Sequence, residues 1–135
     1  MFRPITFMSL LLVSFQADAA IWKNIAVGDK NAYRYDSESV QRTATSVRVW
    51  WREVQLLEGG KEYNKIMNYT EFNCAERTSR DLNQSIYSLD GSVIKTFSVP
   101  SVKTFVAPET IGERLENIVC STPAPVLRKP IKKRH

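Results

Sequence analysis

The sequence predicts an α+β fold: an antiparallel β-sheet of about five or six strands, followed by one C-terminal helix that a disulfide tethers. Two observations predict this fold. Strand-like stretches joined by turn signals fill residues 21–107, and a single amphipathic stripe with helical spacing follows Pro108. The chain has 135 residues, 43% of them hydrophobic, which suits one folded domain and argues against wholesale disorder.

The first half of the domain alternates strand patterns with turn residues. Residues 21–27 predict a short strand or a segment laid over the core, and residues 32–35 a short strand that ends at a polar turn. Residues 46–57 give the strongest strand signal. The sequence Glu58-Gly59-Gly60-Lys61 then predicts a hairpin connection, because glycine adopts positive φ without strain. Residues 63–74 follow as the returning strand.

The long strand at residues 46–57 presents aromatic and basic side chains on the same face. Alternation places Trp50 and Trp51 on opposite faces, and it places Arg48 and Arg52 on the face of Trp50. A guanidinium group can stack on an indole there, which makes this face a candidate binding surface. The alternative is that both tryptophans pack within the monomer. A face switch by a β-bulge near the end of the strand also stays open.

The second half of the sheet is less clearly specified. Residues 75–81 are polar and either continue as an edge strand or turn. Asp90-Gly91 is a strong hairpin signal. The returning strand at residues 92–99 is expected to bury Phe97 together with Val93 or Ile94, and residues 102–107 predict a further short strand.

The helix has a recognisable beginning and end. Thr110-Ile111-Gly112-Glu113 matches a capping box, in which a hydroxyl and a carboxylate satisfy each other's free backbone N–H groups. Cys120 ends the helix, and Pro123 forbids its continuation. A helix of about 10 residues is marginal alone in water, so we expect its apolar stripe to pin it to the sheet. That stripe consists of Ile111, Leu115, Ile118 and Val119.

Residues 1–19 predict a cleaved signal peptide. Arg3 precedes an apolar run at residues 5–15, and Ala17-Asp18-Ala19 fits a small-x-small cleavage pattern. The run is too short for a membrane-spanning helix, which needs about 20 residues. The alternative is an N-terminal core strand or helix. We expect an exported domain at residues 20–122, periplasmic or secreted, without a lipid anchor because the residue directly after the cleavage site is Ala20 and not a cysteine.

Cys74 and Cys120 are the two cysteines of the chain. An oxidising compartment favours a structural disulfide between them. Two free thiols or a redox-active pair are the alternatives, although a redox pair usually shows Cys-x-x-Cys spacing.

The positive charge is concentrated at the C-terminus. We expect residues 123–135 to form a disordered basic tail, and the rest of the chain carries 14 basic and 14 acidic residues. This distribution argues against a nucleic-acid-binding domain, which carries its charge across a folded face. The tail either contacts anionic lipids, sulfated glycans or acidic proteins, or binds nothing specific. Its basic residues are Arg128, Lys129, Lys132, Lys133 and Arg134.

The sequence offers little material for catalysis. The sole histidine, His135, ends the tail, and neither a Gly-x-Ser-x-Gly motif nor a glycine-rich phosphate loop is present. A hydrolase that uses two carboxylates is a weakly supported alternative. Asp36 and Glu38 are neighbours without EF-hand spacing, so we expect a turn there. We therefore predict no catalytic residues, no metal and no cofactor.

The order of several short motifs resembles the bacterial surface-adhesin protein E family. The motifs are Tyr33-Arg34-Tyr35-Asp36, Val47-Arg48-Val49-Trp50, Asn73-Cys74-Ala75-Glu76-Arg77 and Pro108-Glu109-Thr110, with Cys120 ending the helix. The resemblance implies a sheet and a disulfide-tethered helix, sometimes paired into homodimers, and binding of host matrix and plasma proteins. The leading hypothesis is an exported, non-enzymatic, adhesin-like binding domain that contacts host or envelope macromolecules. The alternative is a periplasmic accessory or structural protein without adhesion activity.

Overall fold

The computed structural model describes residues 19–98 and 101–121. The predicted signal segment up to residue 18 and the predicted tail at residues 123–135 lie outside the described residues. The elements in chain order are β1 (Trp22–Val27), β2 (Asn31–Asp36), β3 (Gln41–Arg42), β4 (Val47–Leu56), β5 (Glu62–Asn73), β6 (Thr78–Tyr87), β7 (Val93–Phe97), β8 (Thr104–Phe105) and α1 (Ile111–Ser121).

The strands form one antiparallel sheet with the order β1-β2-β4-β5-β6-β7. The two-residue strands β3 and β8 pair with β4 and β6, outside this path. The predicted α+β class is confirmed. The main path has six strands, which agrees with the five or six expected. The sequence did not predict β3, because a strand of two residues is too short to show an alternating pattern.

Both predicted hairpin connections are present. Between β4 and β5, Gly59 and Gly60 have φ values of 78° and 76°, in the left-handed region that favours glycine. Between β6 and β7, Gly91 has a φ of 85°. The Asp90 carboxylate accepts hydrogen bonds from the Ser88 hydroxyl and the Ser92 N–H, which lower its pKa to about 2.

A β-bulge lies opposite the end of β4. Glu53 pairs with Ile66 and Val54 with Asn64, so Lys65 of β5 is left without a partner in the register. The bulge belongs to β5, and β4 keeps its own alternation. Val54 therefore lies on the same face as Trp50, where it is buried beside its β2 partner Ala32.

The hydrophobic core lies between α1 and the opposite face of the sheet. The predicted helical stripe supplies Leu115 and Val119, which pack against Val47 and Val49 of β4 and Phe72 of β5. Trp51 packs at the edge of this cluster, and its indole N–H donates to the Thr70 hydroxyl at 2.8 Å. A helix this short is marginal alone in water, so the burial of its apolar side chains against the sheet holds α1 in place.

Two further contacts fasten the helix. A disulfide joins Cys74, just after β5, to Cys120 in the last turn of α1, which confirms the predicted pairing. The buried Glu116 carboxylate accepts a hydrogen bond from Arg77 Nε at 3.0 Å. Arg77 lies in the turn between β5 and β6, so residues 74–77 turn and the strand begins at Thr78.

The N-terminus of α1 shows one of the two hydrogen bonds of the expected capping box. The Glu113 N–H donates to the Thr110 hydroxyl oxygen at 3.2 Å, while that hydroxyl donates to the Ala107 carbonyl at 2.7 Å. Among the described residues, no return bond from the Thr110 N–H to the Glu113 carboxylate is present.

The expectation of buried side chains in β7 is wrong. Val93, Ile94 and Phe97 are 53%, 67% and 41% exposed. The reason is the strand order: β7 is an edge strand, whereas α1 packs over β1 and β4 near the other edge. The described part of the chain places no element over β7.

Candidate functional site

The face of the sheet opposite α1 carries the candidate residues of β4. Directly paired residues of antiparallel strands share a face, so the register assigns side chains of five strands to it. We call this surface the open face, since no described helix packs on it. Its principal side chains are Trp22, Arg34, Arg48, Trp50, Arg52, Glu62, Met67, Tyr69, Glu71 and Arg80.

Two aromatic contacts lie at the centre of the open face. Trp50 and Tyr69 are direct partners in β4 and β5, and their rings stack with centroids 4.8 Å apart at an angle of 21°. The Arg52 guanidinium lies over the Trp22 ring, 4.2 Å from its centroid. The guanidinium–indole contact was predicted for Trp50, but Arg52 lies over Trp22 instead, and Tyr69 occupies the position beside Trp50.

Arg52 is a cation without a carboxylate partner among the described residues. One of its terminal nitrogens donates to Asn64 Oδ1 at 3.0 Å, and its buried Nε has no hydrogen-bond partner there. Burial, followed by the nearby positive charge of Arg34, lowers the pKa of Arg52 from 12.5. The side chain stays protonated at neutral pH, so an incoming anion would be attracted to it.

Arg34, by contrast, is fully paired. Its two terminal nitrogens donate to the Glu62 carboxylate at 2.6 and 2.7 Å, and its Nε donates to Asn24 Oδ1 at 3.1 Å. These bonds raise the pKa of Arg34 and lower that of Glu62. The bidentate pair neutralises this part of the open face.

Two arginines share one carboxylate at the other end of the open face. Arg48 of β4, Glu71 of β5 and Arg80 of β6 form one row across three strands. The Nε atoms of Arg48 and Arg80 donate to the two Glu71 oxygens at 2.7 and 2.9 Å. Burial alone would raise the pKa of Glu71, but the two guanidinium groups outweigh it and lower the pKa below 4.5. The row keeps one excess positive charge.

A pocket of about 330 Å³ opens beside this row. We call it the basic pocket. Lys103 adds a third cation to its wall and forms an exposed ion pair with Glu76 at 2.5 Å. The remaining wall is built from hydroxyl and amide groups. The lining residues are Thr43, Thr45, Ser46, Arg48, Glu71, Asn73, Thr78, Ser79, Arg80 and Lys103.

The open face carries more positive charge than the balanced sum of acids and bases suggests. Its ion pairs leave two guanidinium charges unmatched, that of Arg52 and one of the two that share Glu71. Asp36 pairs with neither of these guanidinium groups, because its carboxylate is buried and accepts from the Ile21 and Glu38 N–H groups, both at 3.1 Å. The balanced count of acidic and basic residues therefore does not reveal the positive surface of the folded domain.

The sequence predicted the three candidate residues of β4 and missed the other residues of this surface. Trp22, Tyr69, Glu71 and Arg80 belong to strands whose alternation is visible, but their position beside Arg48 depends on the pairing register. The predicted site residues of the tail lie outside the described residues: Arg128, Lys129, Lys132, Lys133 and Arg134.

The described residues give the catalytic and metal alternatives no support. No group of three or more histidine, cysteine or acidic side chains within residues 19–98 and 101–121 is placed to hold a metal ion. Four of the glutamates that a hydrolase could use form ion pairs instead: Glu53 with Lys65, Glu62 with Arg34, Glu71 with two arginines and Glu76 with Lys103.

The fold and the open face together define a class: a disulfide-tethered sheet-and-helix domain with a charged, aromatic surface on its uncovered side. A family model described as surface-adhesin protein E matches residues 22–121, and the chain belongs to that family. This membership makes it an adhesin-like surface protein. Neither the curated proteins nor the solved structures contain a match to the chain. Within the described residues, no helix is long and apolar enough to cross a membrane.

Proposed function

We propose that this chain is an exported, non-enzymatic domain that binds acidic regions of host or envelope macromolecules through its open face. The observation that carries the proposal is the arrangement of Arg52 and the Arg48–Glu71–Arg80 row around the stacked Trp50 and Tyr69. Arginine and aromatic residues are enriched where protein interfaces concentrate their binding free energy.

Charge supports an acidic partner. Each unmatched guanidinium group can form charge-assisted hydrogen bonds with carboxylate, sulfate or phosphate oxygens. Arg52 is the stronger case, since it is already partly desolvated and has no carboxylate of its own among the described residues. A ligand anion would supply the missing partner without breaking an existing ion pair.

The aromatic pair supports a macromolecule as the partner. Trp50 and Tyr69 hold each other in one orientation, so little side-chain entropy is lost when a partner packs on them. Rigid aromatic side chains between charged groups provide area and orientation together. The family assignment agrees with this role.

Binding of the purified mature chain to an immobilised basement-membrane extract tests the proposal. We expect Trp50→Ala and Arg52→Gln each to weaken binding by about tenfold, which corresponds to roughly 1.4 kcal/mol. Phe97→Ala and Arg114→Gln are matched controls, because Phe97 is 41% exposed on the opposite face of the sheet and Arg114 is exposed on α1. Equal losses in the controls, or undiminished binding by both open-face variants, would contradict the proposal.

Protease treatment of intact cells that express the full chain distinguishes a location on the cell surface from one in the periplasm. We expect an adhesin on the cell surface to be cleaved without permeabilisation. Cleavage only after the outer envelope is opened would favour the periplasmic accessory protein instead.

A further inference from the structure

The basic pocket lies where three strands and the β3–β4 turn meet, at one end of the open face. We infer that this pocket binds a sulfate group of an acidic polysaccharide. The inference rests on the proposed binding function and assigns the chemistry of one part of the partner.

The first argument is the geometry of the two arginines. Arg48 and Arg80 approach Glu71 from opposite neighbouring strands, and both bonds to the carboxylate use Nε. Each arginine side chain remains 40% exposed and lines the pocket. Glu71 thus fixes the orientation of two planar donor groups, and such groups match the oxygens of a tetrahedral oxyanion.

The third cation is available to a ligand. Lys103 and Glu76 are each about half exposed, so water and salt screen their ion pair. Exchanging this pair for a bound sulfate costs little free energy. With Lys103 included, three cations and the single carboxylate of Glu71 line the pocket.

The uncharged part of the wall suits a sugar. Five hydroxyl groups and the Asn73 amide line the pocket, and no apolar side chain does. The turn that supplies some of these hydroxyls is already ordered, because Thr43 Oγ1 accepts from the Ser46 N–H at 3.0 Å. Hydroxyl and amide groups both donate to and accept from sugar hydroxyls. A lipid anchor would instead need apolar surface for its acyl chain.

Size and position favour one unit of a longer chain. A volume of about 330 Å³ lies at the lower end for small-molecule sites, so the pocket fits a single sulfated sugar. Trp50 and Tyr69 lie two residues further along β4 and β5, on the same face. The adjoining sugars can therefore continue over the aromatic pair.

A size-defined heparin hexasaccharide is the probe, titrated calorimetrically into the mature full-length chain. We expect Arg80→Gln and Lys103→Gln each to reduce its affinity by about tenfold. Arg114→Gln removes the same charge from the exposed surface of α1 and should leave the affinity nearly unchanged. Equal losses in all three variants would show general electrostatic attraction and overturn the inference.

A tail-neutral chain removes the main competing site. In this full-length variant, the five basic residues of positions 128–134 are replaced by glutamine. We expect hexasaccharide binding to persist, and the desulfated hexasaccharide to bind far more weakly. Loss of binding in the tail-neutral chain would place the site in the tail. Binding of vesicles that contain anionic lipid, undiminished by the hexasaccharide, would favour a lipid partner.

Amide chemical-shift mapping tests the pocket without any substitution among the described residues. On addition of the hexasaccharide to the tail-neutral chain, we expect the largest shifts at residues 43–46 and 78–80. Shifts confined to other surfaces would overturn the pocket assignment. If the basement-membrane extract still binds through Trp50 in that case, the proposed function stands and the sulfate inference alone fails. If both probes fail to bind, both proposals fail.

Discussion

The disulfide should supply a large part of the stability of the domain. Cys74 and Cys120 are separated by 46 positions in sequence, and their Cα atoms lie 5.7 Å apart. In the chain-entropy model, closing a loop of this length restricts the unfolded chain enough to stabilise the fold by about 4 kcal/mol. The total stability of a domain of this size is about 5–15 kcal/mol, so the loss would be severe.

Two perturbations measure this contribution. Reduction of the wild-type mature protein breaks the bond and keeps both sulfur atoms, whereas the double variant Cys74→Ala/Cys120→Ala removes them. We expect either change to lower the melting temperature, followed by circular dichroism, by about 15–25 °C. Agreement between the two would assign the effect to the loss of the cross-link and not to packing of the sulfur atoms.

Two results would refute this reasoning. If alkylation of the unreduced, folded protein labels both cysteines, as read from the intact mass, the bond does not form. If the bond is present but reduction leaves the melting temperature unchanged, the apolar stripe and the Arg77–Glu116 ion pair are enough to hold the helix. The entropic argument would then be wrong for this chain.

Four further predictions concern the helix and the sheet. Leu115→Ala removes a fully buried side chain of the core and should cost about 2–5 kcal/mol in urea unfolding. Thr110→Ala removes the acceptor of the Glu113 N–H and should cost about 1 kcal/mol; an unchanged unfolding midpoint would show that this cap contributes nothing. Ile94→Thr, on the exposed edge strand β7, should change stability by no more than about 0.5 kcal/mol, and a larger loss would mean that this edge is covered. Because the pKa of Glu71 is lowered in the fold, its ion pairs contribute fully to stability above pH 4.5, and this contribution is lost as the pH falls further. Glu71→Gln should therefore make the unfolding midpoint less sensitive to acid, and identical pH profiles would contradict the ion-pair account.

The local features of the sequence predicted much of the fold. Alternation placed Trp50 and Trp51 on opposite faces correctly, because a strand fixes the direction of successive side chains regardless of its partners. The Gly59-Gly60 connection and the stripe containing Leu115 are likewise local, since backbone conformation and helical spacing determine them. The disulfide followed from compartment and from the number of cysteines.

The features that failed depend on which strands become neighbours. Burial of Phe97 was expected from its hydrophobicity, but β7 lies at a sheet edge away from the helix. The position of Arg80 beside Glu71 required knowing that residues 74–77 turn, and the sequence left that choice open. Lys103 is distant in sequence from the row of Arg48, Glu71 and Arg80, and the tertiary fold brings it into the wall of the basic pocket.

The central claim, that the open face is the binding surface, has a direct test in hydroxyl-radical footprinting. Tryptophan, methionine and tyrosine oxidise readily, and the open face presents Trp22, Trp50, Met67 and Tyr69. On addition of basement-membrane extract to the mature chain, mass spectrometry should show reduced oxidation at these four side chains and unchanged oxidation at Phe97, which is exposed on the opposite face of the sheet. Protection of Phe97 or of α1, with the four open-face side chains oxidised as before, would contradict the claim.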